Sequence, residues 1–254
     1  MPLIDGWYFI IYEGAPRLST KVVLVHGAGG SHLSWTRELR RLPGWRVLAL
    51  DLPGHGRSEE KPCRRVEDYA RRLVHFLDMA DIYRVALVGH SMGSAVCLQA
   101  APRLGDRLAG MALLAPFSRL PVEPDVLEYL SHPFEPAPFH RWLRERLFSP
   151  RTPERVILQA MRGLEQVRWH VLASDWMACS RFQPRHVDQI TCPALLVAGA
   201  DDRLTPPALA QELADTLPDA RVKMLPRAGH MLALEQSAAV ADAVERFLKT
   251  LPST

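Results

Sequence analysis

The sequence feature that most constrains the fold lies at residues 87–95, which read Leu-Val-Gly-His-Ser-Met-Gly-Ser-Ala. The apolar run at 85–88 predicts a short buried strand, and the residues after Gly93 predict a helix. Between them, Gly-x-Ser-x-Gly predicts a sharp, strained turn that lifts the hydroxyl of Ser91 clear of a sheet. The same five residues also fit a plain strand-to-helix turn with Ser91 as N-cap. The rest of the chain decides between the two interpretations.

Composition places the chain among globular proteins, because 48% of its 254 residues are hydrophobic and 23% are charged. The balance of 31 basic and 28 acidic residues gives a net charge of only +3. Basic residues cluster at 37–46 and 141–155, but without the interleaved aromatic residues of a nucleic-acid site. We therefore expect no nucleic-acid partner.

The four cysteines have no C-x-x-C spacing, and the ten histidines do not follow a metal-binding pattern. We expect neither a metal nor a cofactor. The N-terminus lacks the basic and apolar regions of a signal peptide, and the apolar run 7–12 is too short to span a bilayer. These features predict a cytoplasmic protein without a membrane partner.

Apolar strands alternate with helical periodicity along most of the chain, which is typical of a parallel sheet with helices on both faces. The predicted strands are 7–12, 22–25, 47–50, 85–88, 108–115, 194–198 and 221–225. The predicted helices of this core are 31–42, 66–80, one after Gly93, one with Thr205 as N-cap and Pro206 at its first position, and one containing 240–248.

The alternation stops at Pro116 and resumes near residue 190. The intervening stretch is rich in proline and aromatic residues, with helical periodicity at 139–148 and 153–177. We therefore predict a core formed by 1–115 and 190–254, and a helical lid formed by 116–189.

Two further segments supply an acid and a base for a serine nucleophile. Asp202 follows the strand 194–198 within Gly199-Ala-Asp-Asp-Arg-Leu-Thr-Pro, and His230 follows the strand 221–225. The carboxyl ends of parallel strands meet at one edge of a sheet, so Ser91, Asp202 and His230 are expected there together. The chain order Ser, Asp, His is that of hydrolases with this type of turn.

Taken together, these motifs resemble the α/β-hydrolase fold family, in its lid-bearing, esterase-like branch. The matching motifs, in family order, are His26-Gly-Ala-Gly-Gly30, Asp51-x-x-Gly-x-Gly-x-Ser58, Gly89-x-Ser-x-Gly93, Gly199-x-x-Asp-x-x-Thr-Pro206 and Gly229-His230. The resemblance implies a doubly wound, mostly parallel sheet with a helical lid inserted after the sixth strand. It also favours Asp202 over Asp201 as the acid, since the acid usually lies three residues after the glycine.

The resemblance further implies an oxyanion hole made by the backbone N–H groups of Ala28 and Met92. His26 and His90 are expected to hold their loops, and His55 and Arg57 to brace the site. A few apolar side chains of the lid should line an acyl pocket, for which the candidates are Trp142, Trp169 and Trp176. Met231, next to His230 in the core, is a fourth candidate for this pocket.

The predicted activity is hydrolysis of small to medium hydrophobic acyl or aryl esters through an acyl-enzyme on Ser91. C–C bond hydrolysis, cofactor-free perhydrolysis and thioester hydrolysis stay open, because the same residues serve each of them. A serine at position 91 disfavours dehalogenases and epoxide hydrolases, which carry aspartate there. A ligand-binding receptor on the same fold is the non-enzyme alternative.

A dinucleotide-binding protein is a further alternative, because residues 27–30 and Asp51 imitate the Rossmann fingerprint. That pattern fails at its third glycine, where His32 stands, and it leaves Ser91, Asp202 and His230 unexplained.

Overall fold

The computed structural model describes residues 3–13, 20–59, 61–120, 122–132 and 137–252. Within these residues eight strands form one sheet: β1 (Leu3–Ile4), β2 (Trp7–Tyr12), β3 (Lys21–Val25), β4 (Val47–Leu50), β5 (Val85–His90), β6 (Leu108–Leu114), β7 (Ala194–Gly199) and β8 (Ala220–Leu225). Their spatial order is β1-β2-β4-β3-β5-β6-β7-β8. Only the pairings of β1 with β2 and of β2 with β4 are antiparallel.

The α-helices of the described residues are α1 (Arg37–Arg40), α2 (Val66–Met79), α3 (Met92–Leu104), α4 (Pro124–Ser131), α5 (Ala137–Leu147), α6 (Glu154–Glu165), α7 (Trp169–Ser180), α8 (Pro207–Ala214), α9 (Leu232–Glu235) and α10 (Ser237–Thr250). Helices α2, α3 and α8 pack on one face of the sheet, and α1 and α10 pack on the other. The central strands β3 and β6 are apolar, apart from Lys21 at the start of β3, because both of their faces are covered. The predicted doubly wound, mostly parallel sheet is confirmed.

One predicted helix of the core is wrong. Residues 31–42 form a 3-10 turn (His32–Ser34) and the single-turn α1, with Trp35 extended between them. The backbone N–H and the ring of His32 both bond to the buried carboxylate of Asp51, at 2.6 and 2.8 Å. These contacts hold the chain against the end of β4 and interrupt the helix.

The segment between β6 and β7 contains the four helices α4 to α7, which we call the inserted helices. Helix α4 was not predicted, and the single helix predicted at 153–177 is in fact two helices, α6 and α7. The inserted helices share an apolar cluster of their own, centred on Phe139 and Trp176.

The strand order reverses between β3 and β5, which lie side by side in the middle of the sheet. At such a point the loops that follow the two strands diverge and leave a crevice at the carboxyl edge. Val25 pairs with Gly89 at the ends of these strands. The loop after β3 and the turn after β5 therefore face each other across this crevice.

Candidate active site

Ser91 occupies the turn between β5 and α3 in a strained backbone conformation, with φ +52° and ψ −120°. Its N–H donates to the carbonyl of Leu114 at 2.9 Å, which ties the turn to β6. Gly93 makes this turn possible: a Cβ there would lie 1.9 Å from the carbonyl oxygen of Val25. The turn thus presses against the end of β3, with Ser91 on the wall of the crevice.

His230 and Asp202 are in direct contact. The Nδ1 atom of His230 lies 2.9 Å from Oδ2 of Asp202, and both side chains are buried. The other oxygen of Asp202 accepts the backbone N–H groups of Leu204 and Thr205, at 2.9 and 2.8 Å. With Nδ1 engaged in this way, Nε2 is the ring nitrogen left to exchange a proton.

The hydroxyl of Thr205 completes this contact. It donates to Oδ2 of Asp202 at 2.8 Å and lies 3.0 Å from Nδ1 of His230. The prediction that Thr205 is a helix N-cap is wrong, because α8 begins at Pro207 and Pro206 is its N-cap. Asp201 points elsewhere and accepts the hydroxyl of Ser149 at 2.6 Å.

His90 contacts both the backbone and the ring of His230. Its Nε2 donates to the carbonyl oxygen of His230 at 3.0 Å, and the two rings are 5.2 Å apart. Removal from water, followed by the neighbouring ring of His230, lowers the pKa of His90 to about 4. His90 is therefore a neutral hydrogen-bond donor at physiological pH.

The loop after β3 approaches Ser91 closely, since a Cβ on Gly27 would lie 3.1 Å from the Cβ of Ser91. Gly30 donates its N–H to the carbonyl of Gly27 at 3.0 Å, and Gly29 donates its N–H to Asp175 at 2.8 Å. The N–H of Ala28, between them, donates to no acceptor in the described part of the chain.

The other predicted oxyanion donor, Met92, is the first residue of α3. The first N–H groups of a helix have no acceptor within it. Ala28 also lines the cavity that contains Ser91. Ala28 therefore lies in the loop that approaches Ser91, and Met92 directly follows Ser91 at the start of α3.

His26 fixes the base of the same loop. Its Nε2 accepts the N–H of Leu52 at 3.0 Å, so Nδ1 carries the proton and donates to the carbonyl of Gly27 at 2.8 Å. Burial, followed by the neighbouring ring of His55, lowers the pKa of His26 well below its ordinary value. Of the predicted bracing residues, Arg57 donates its N–H to Asp51 at 2.8 Å and lies over the ring of Tyr8.

A cavity of about 410 Å³ opens over Ser91 and His230, with an apolar wall from the inserted helices and α9. Trp176 and Met231 lie on this wall, as predicted for the pocket. Trp142 and Trp169 are not among the described residues that line it. Their indole N–H groups donate to Glu123 and to the carbonyl of Leu130, which holds these rings in the packing around α4.

The contacts that Asp175, Thr205 and Glu235 make at the site were not predicted from the sequence. Each is a side chain that bonds the loops of the site. A threonine three residues after Asp202 was a visible signal for Thr205. Asp175 is 146 positions away from its partner Gly29 in the sequence, so no local pattern could identify it.

The described ranges contain no group of three or more His, Cys, Asp or Glu side chains placed to hold a metal ion. No helix within these ranges has the length and apolar character needed to cross a bilayer.

Known proteins are similar to this chain over almost its whole length. The chain is 28% identical to a pimeloyl-[acyl-carrier protein] methyl ester esterase of Neisseria meningitidis serogroup B, over 93% of this chain and 96% of that protein. It is 29% identical to the dihydrolipoyllysine-residue acetyltransferase component of the acetoin cleaving system of Pseudomonas putida, covering 96% of this chain but only 66% of that protein.

Among solved structures, a thermophilic esterase from Thermogutta terrifontis superposes with a TM-score of 0.83 at 26% identity, over 96% of this chain and 93% of that one. The family described as the alpha/beta hydrolase family matches residues 22–243. The sheet, the turn at Ser91 and this match lead to one conclusion: the chain belongs to the alpha/beta hydrolase family.

Proposed function

We propose that this chain is a serine carboxylesterase that hydrolyses small to medium hydrophobic acyl or aryl esters. The observation that carries the proposal is the convergence of Ser91 and His230 on one largely apolar cavity, with His230 bonded to Asp202. The esterase names of two relatives support the same reaction.

In this mechanism His230 Nε2 removes the proton of the Ser91 hydroxyl as its oxygen attacks the ester carbonyl. The N–H groups of Ala28 and Met92 bind the oxyanion that forms. His230 then protonates the leaving alcohol, and the acyl group stays on Ser91. A water molecule, deprotonated by His230, releases the acid and restores the serine. His230 must be neutral to accept the serine proton, so the rate of ester hydrolysis should fall at acidic pH, where His230 is protonated.

The inserted helices form the lid in this proposal, because α6 and α7 cover the cavity with Leu164, Leu172 and Trp176. A volume near 410 Å³ lies toward the small end of ligand pockets, which span about 300–1,000 Å³. We therefore expect acyl-chain selectivity to change when these side chains change. A cytoplasmic location belongs to the proposal as well, since the four cysteines are unpaired thiols.

The test is a series of p-nitrophenyl esters of increasing acyl length, measured on the wild type, on Ser91→Ala and on the control Ser237→Ala. A fluorophosphonate, which phosphonylates activated serines with loss of fluoride, is used in parallel, with the mass shift mapped to a residue. We expect turnover with an optimum at short to medium length, a label on Ser91, and loss of both only in Ser91→Ala. A label on Ser91 without ester turnover would favour the C–C, thioester or perhydrolase alternatives. A folded wild type with neither label nor turnover would favour a receptor.

A further inference from the structure

Asp175 is a fully buried carboxylate outside the proposed catalytic set. Its Oδ2 accepts the N–H of Gly29 at 2.8 Å and faces Nε2 of His55 at 2.7 Å. Its Oδ1 accepts the hydroxyl of Tyr69 at 2.7 Å. A buried carboxylate is costly unless it is paired and hydrogen-bonded, and here both oxygens have partners.

The three partners come from three parts of the core. Gly29 lies in the loop after β3, His55 in the loop after β4, and Tyr69 in α2. Asp175 itself lies in α7, which also supplies Leu172 and Trp176 to the cavity wall. One side chain therefore joins an inserted helix to the loop beside Ser91.

The contact with His55 is an ion pair. Nδ1 of His55 lies 3.0 Å from the carbonyl oxygen of Pro53, which can only accept, so Nδ1 carries a proton. Nε2 faces the Asp175 carboxylate and carries one too. Burial, the largest single influence, lowers the pKa of His55, but the charge and hydrogen bond of Asp175, the Pro53 carbonyl and the charge of Asp51 all raise it, and the net shift is upward.

The contact with Gly29 bears directly on the candidate oxyanion hole. Gly29 has φ +63°, and its N–H is turned to Asp175, while Gly30 donates to Gly27. The peptide group that carries the Ala28 N–H is held through its Gly27 carbonyl, and the peptide group after Ala28 is held through the Gly29 N–H.

We propose that Asp175 is a positioning residue that, through the N–H of Gly29, holds the Gly27–Gly30 loop so that the Ala28 N–H binds the oxyanion. It also makes this alignment depend on the docking of α7. The inference rests on the proposed function, because it assigns Asp175 to the same acyl-transfer site.

The direct test is Asp175→Asn, which keeps the size of the side chain but removes its charge. The substitution also replaces one acceptor oxygen by an NH₂ group, which cannot accept a hydrogen bond from Gly29, His55 or Tyr69. A misplacement of the catalytic geometry by about 1 Å can cost about 100-fold in rate. We expect kcat to fall by about 10-fold to 100-fold, with KM changed less than about 3-fold. The matched control is Ser174→Ala, at the preceding residue of α7, whose hydroxyl donates to the carbonyl of His170 in the same helix.

A trifluoromethyl ketone analogue of the best ester separates alignment from general damage, because it binds as a tetrahedral oxyanion on Ser91. Its Ki in Asp175→Asn should rise by the same factor as kcat falls, whereas the Ki of the corresponding unreactive amide should stay constant. Wild-type kcat and wild-type ketone affinity in a folded variant would overturn the proposal.

Should Asp175→Asn not fold, His55→Gln serves as the second variant, since it keeps Asp175 and its bond to Gly29 but removes the cation that fixes the carboxylate. It should show the same parallel loss of kcat and ketone affinity, and wild-type values would again overturn the proposal. The two hypotheses fail differently. Turnover that survives in Ser91→Ala contradicts the proposed function, whereas Ser91-dependent turnover that is insensitive to these two variants contradicts only the role of Asp175.

Discussion

The hydroxyl of Thr205 and Nδ1 of His230 both bond to Oδ2 of Asp202. The proposed mechanism requires this oxygen to keep its position, because it orients His230. Replacement by valine keeps the shape of the side chain and removes the hydroxyl. A hydrogen bond to a charged group contributes about 1.5–3 kcal/mol, so Thr205→Val should lower the free energy of unfolding by that amount. We also expect kcat to fall about 10-fold, through misorientation of His230.

The control is Thr205→Ser, which restores a hydroxyl at the same position. Urea denaturation measures the stability of both variants, and the p-nitrophenyl ester assay measures kcat. A valine variant with wild-type kcat would show that Asp202 orients His230 without help from Thr205.

The role of a single residue could be predicted from the sequence where that role depends on a local motif, but not where it depends on a contact between distant segments. Ser91 follows from five consecutive residues that form one turn. Thr205 was assigned to the helix start, because threonine before proline is a typical N-cap pattern. The structure uses its hydroxyl for Asp202 instead, a contact that depends on how the loop after β7 folds against the loop after β8.

At the scale of elements, the short helix α9 holds the loop that carries His230. The carboxylate of Glu235 accepts the N–H groups of Gly229 and Ser149, at 3.0 and 3.1 Å, and the hydroxyl of Thr152 at 2.7 Å. It thus links the loop of the candidate base to the segment between α5 and α6. We expect Glu235 to matter for stability and for activity together.

Glu235→Ala leaves those N–H groups without their acceptor, which costs about 1–3 kcal/mol for each buried group left unsatisfied. The free energy of unfolding should fall by at least about 1 kcal/mol, and Glu235→Gln, which keeps one acceptor oxygen, should lose less. The control is Glu245→Ala, since its ion pair with Lys249 on α10 is a helix-surface pair worth about 0.5 kcal/mol. Equal effects of Glu235→Ala and Glu245→Ala on urea denaturation would contradict this account.

The strands and the inserted helices differ in how well their sequence predicted them. Buried parallel strands are continuous apolar runs between turn residues, so their bounds were predicted within two residues. The inserted helices are packed by contacts between distant segments, such as Trp169 on the carbonyl of Leu130. Periodicity alone could not separate α6 from α7 or place two of the four pocket candidates.

At the scale of the whole molecule, buried histidines make stability depend on pH. The pKa of His90 is lowered to about 4, and that of His26 lies well below its ordinary value, chiefly because both rings are removed from water. The folded protein therefore binds fewer protons at these sites than the unfolded chain once the pH drops below about 6.5. Stability should fall as the pH decreases from about 6.5 toward 4.

His55 acts in the opposite direction, because its pKa is raised in the folded protein. Its contribution to the free energy of unfolding is present below about pH 6.5 and is lost as the pH rises through the pKa of His55 in the folded protein.

His90→Gln tests the acid side, since glutamine keeps an N–H donor for the carbonyl of His230 but does not titrate. Between pH 7 and pH 5 the unfolded histidine gains a proton that the folded one does not, which costs about 1.36 kcal/mol for each pH unit below 6.5. Wild type should therefore lose about 2 kcal/mol more than His90→Gln over this interval, as measured by urea denaturation at both pH values. His170→Gln, at an exposed position of α7, should follow the wild type. Carboxylates contribute equally to all three proteins, so the difference isolates His90.

If the stabilities of the wild type and of His90→Gln changed in parallel with pH, His90 would be protonated in the folded protein. His90 could then not be the neutral donor that holds the backbone of His230.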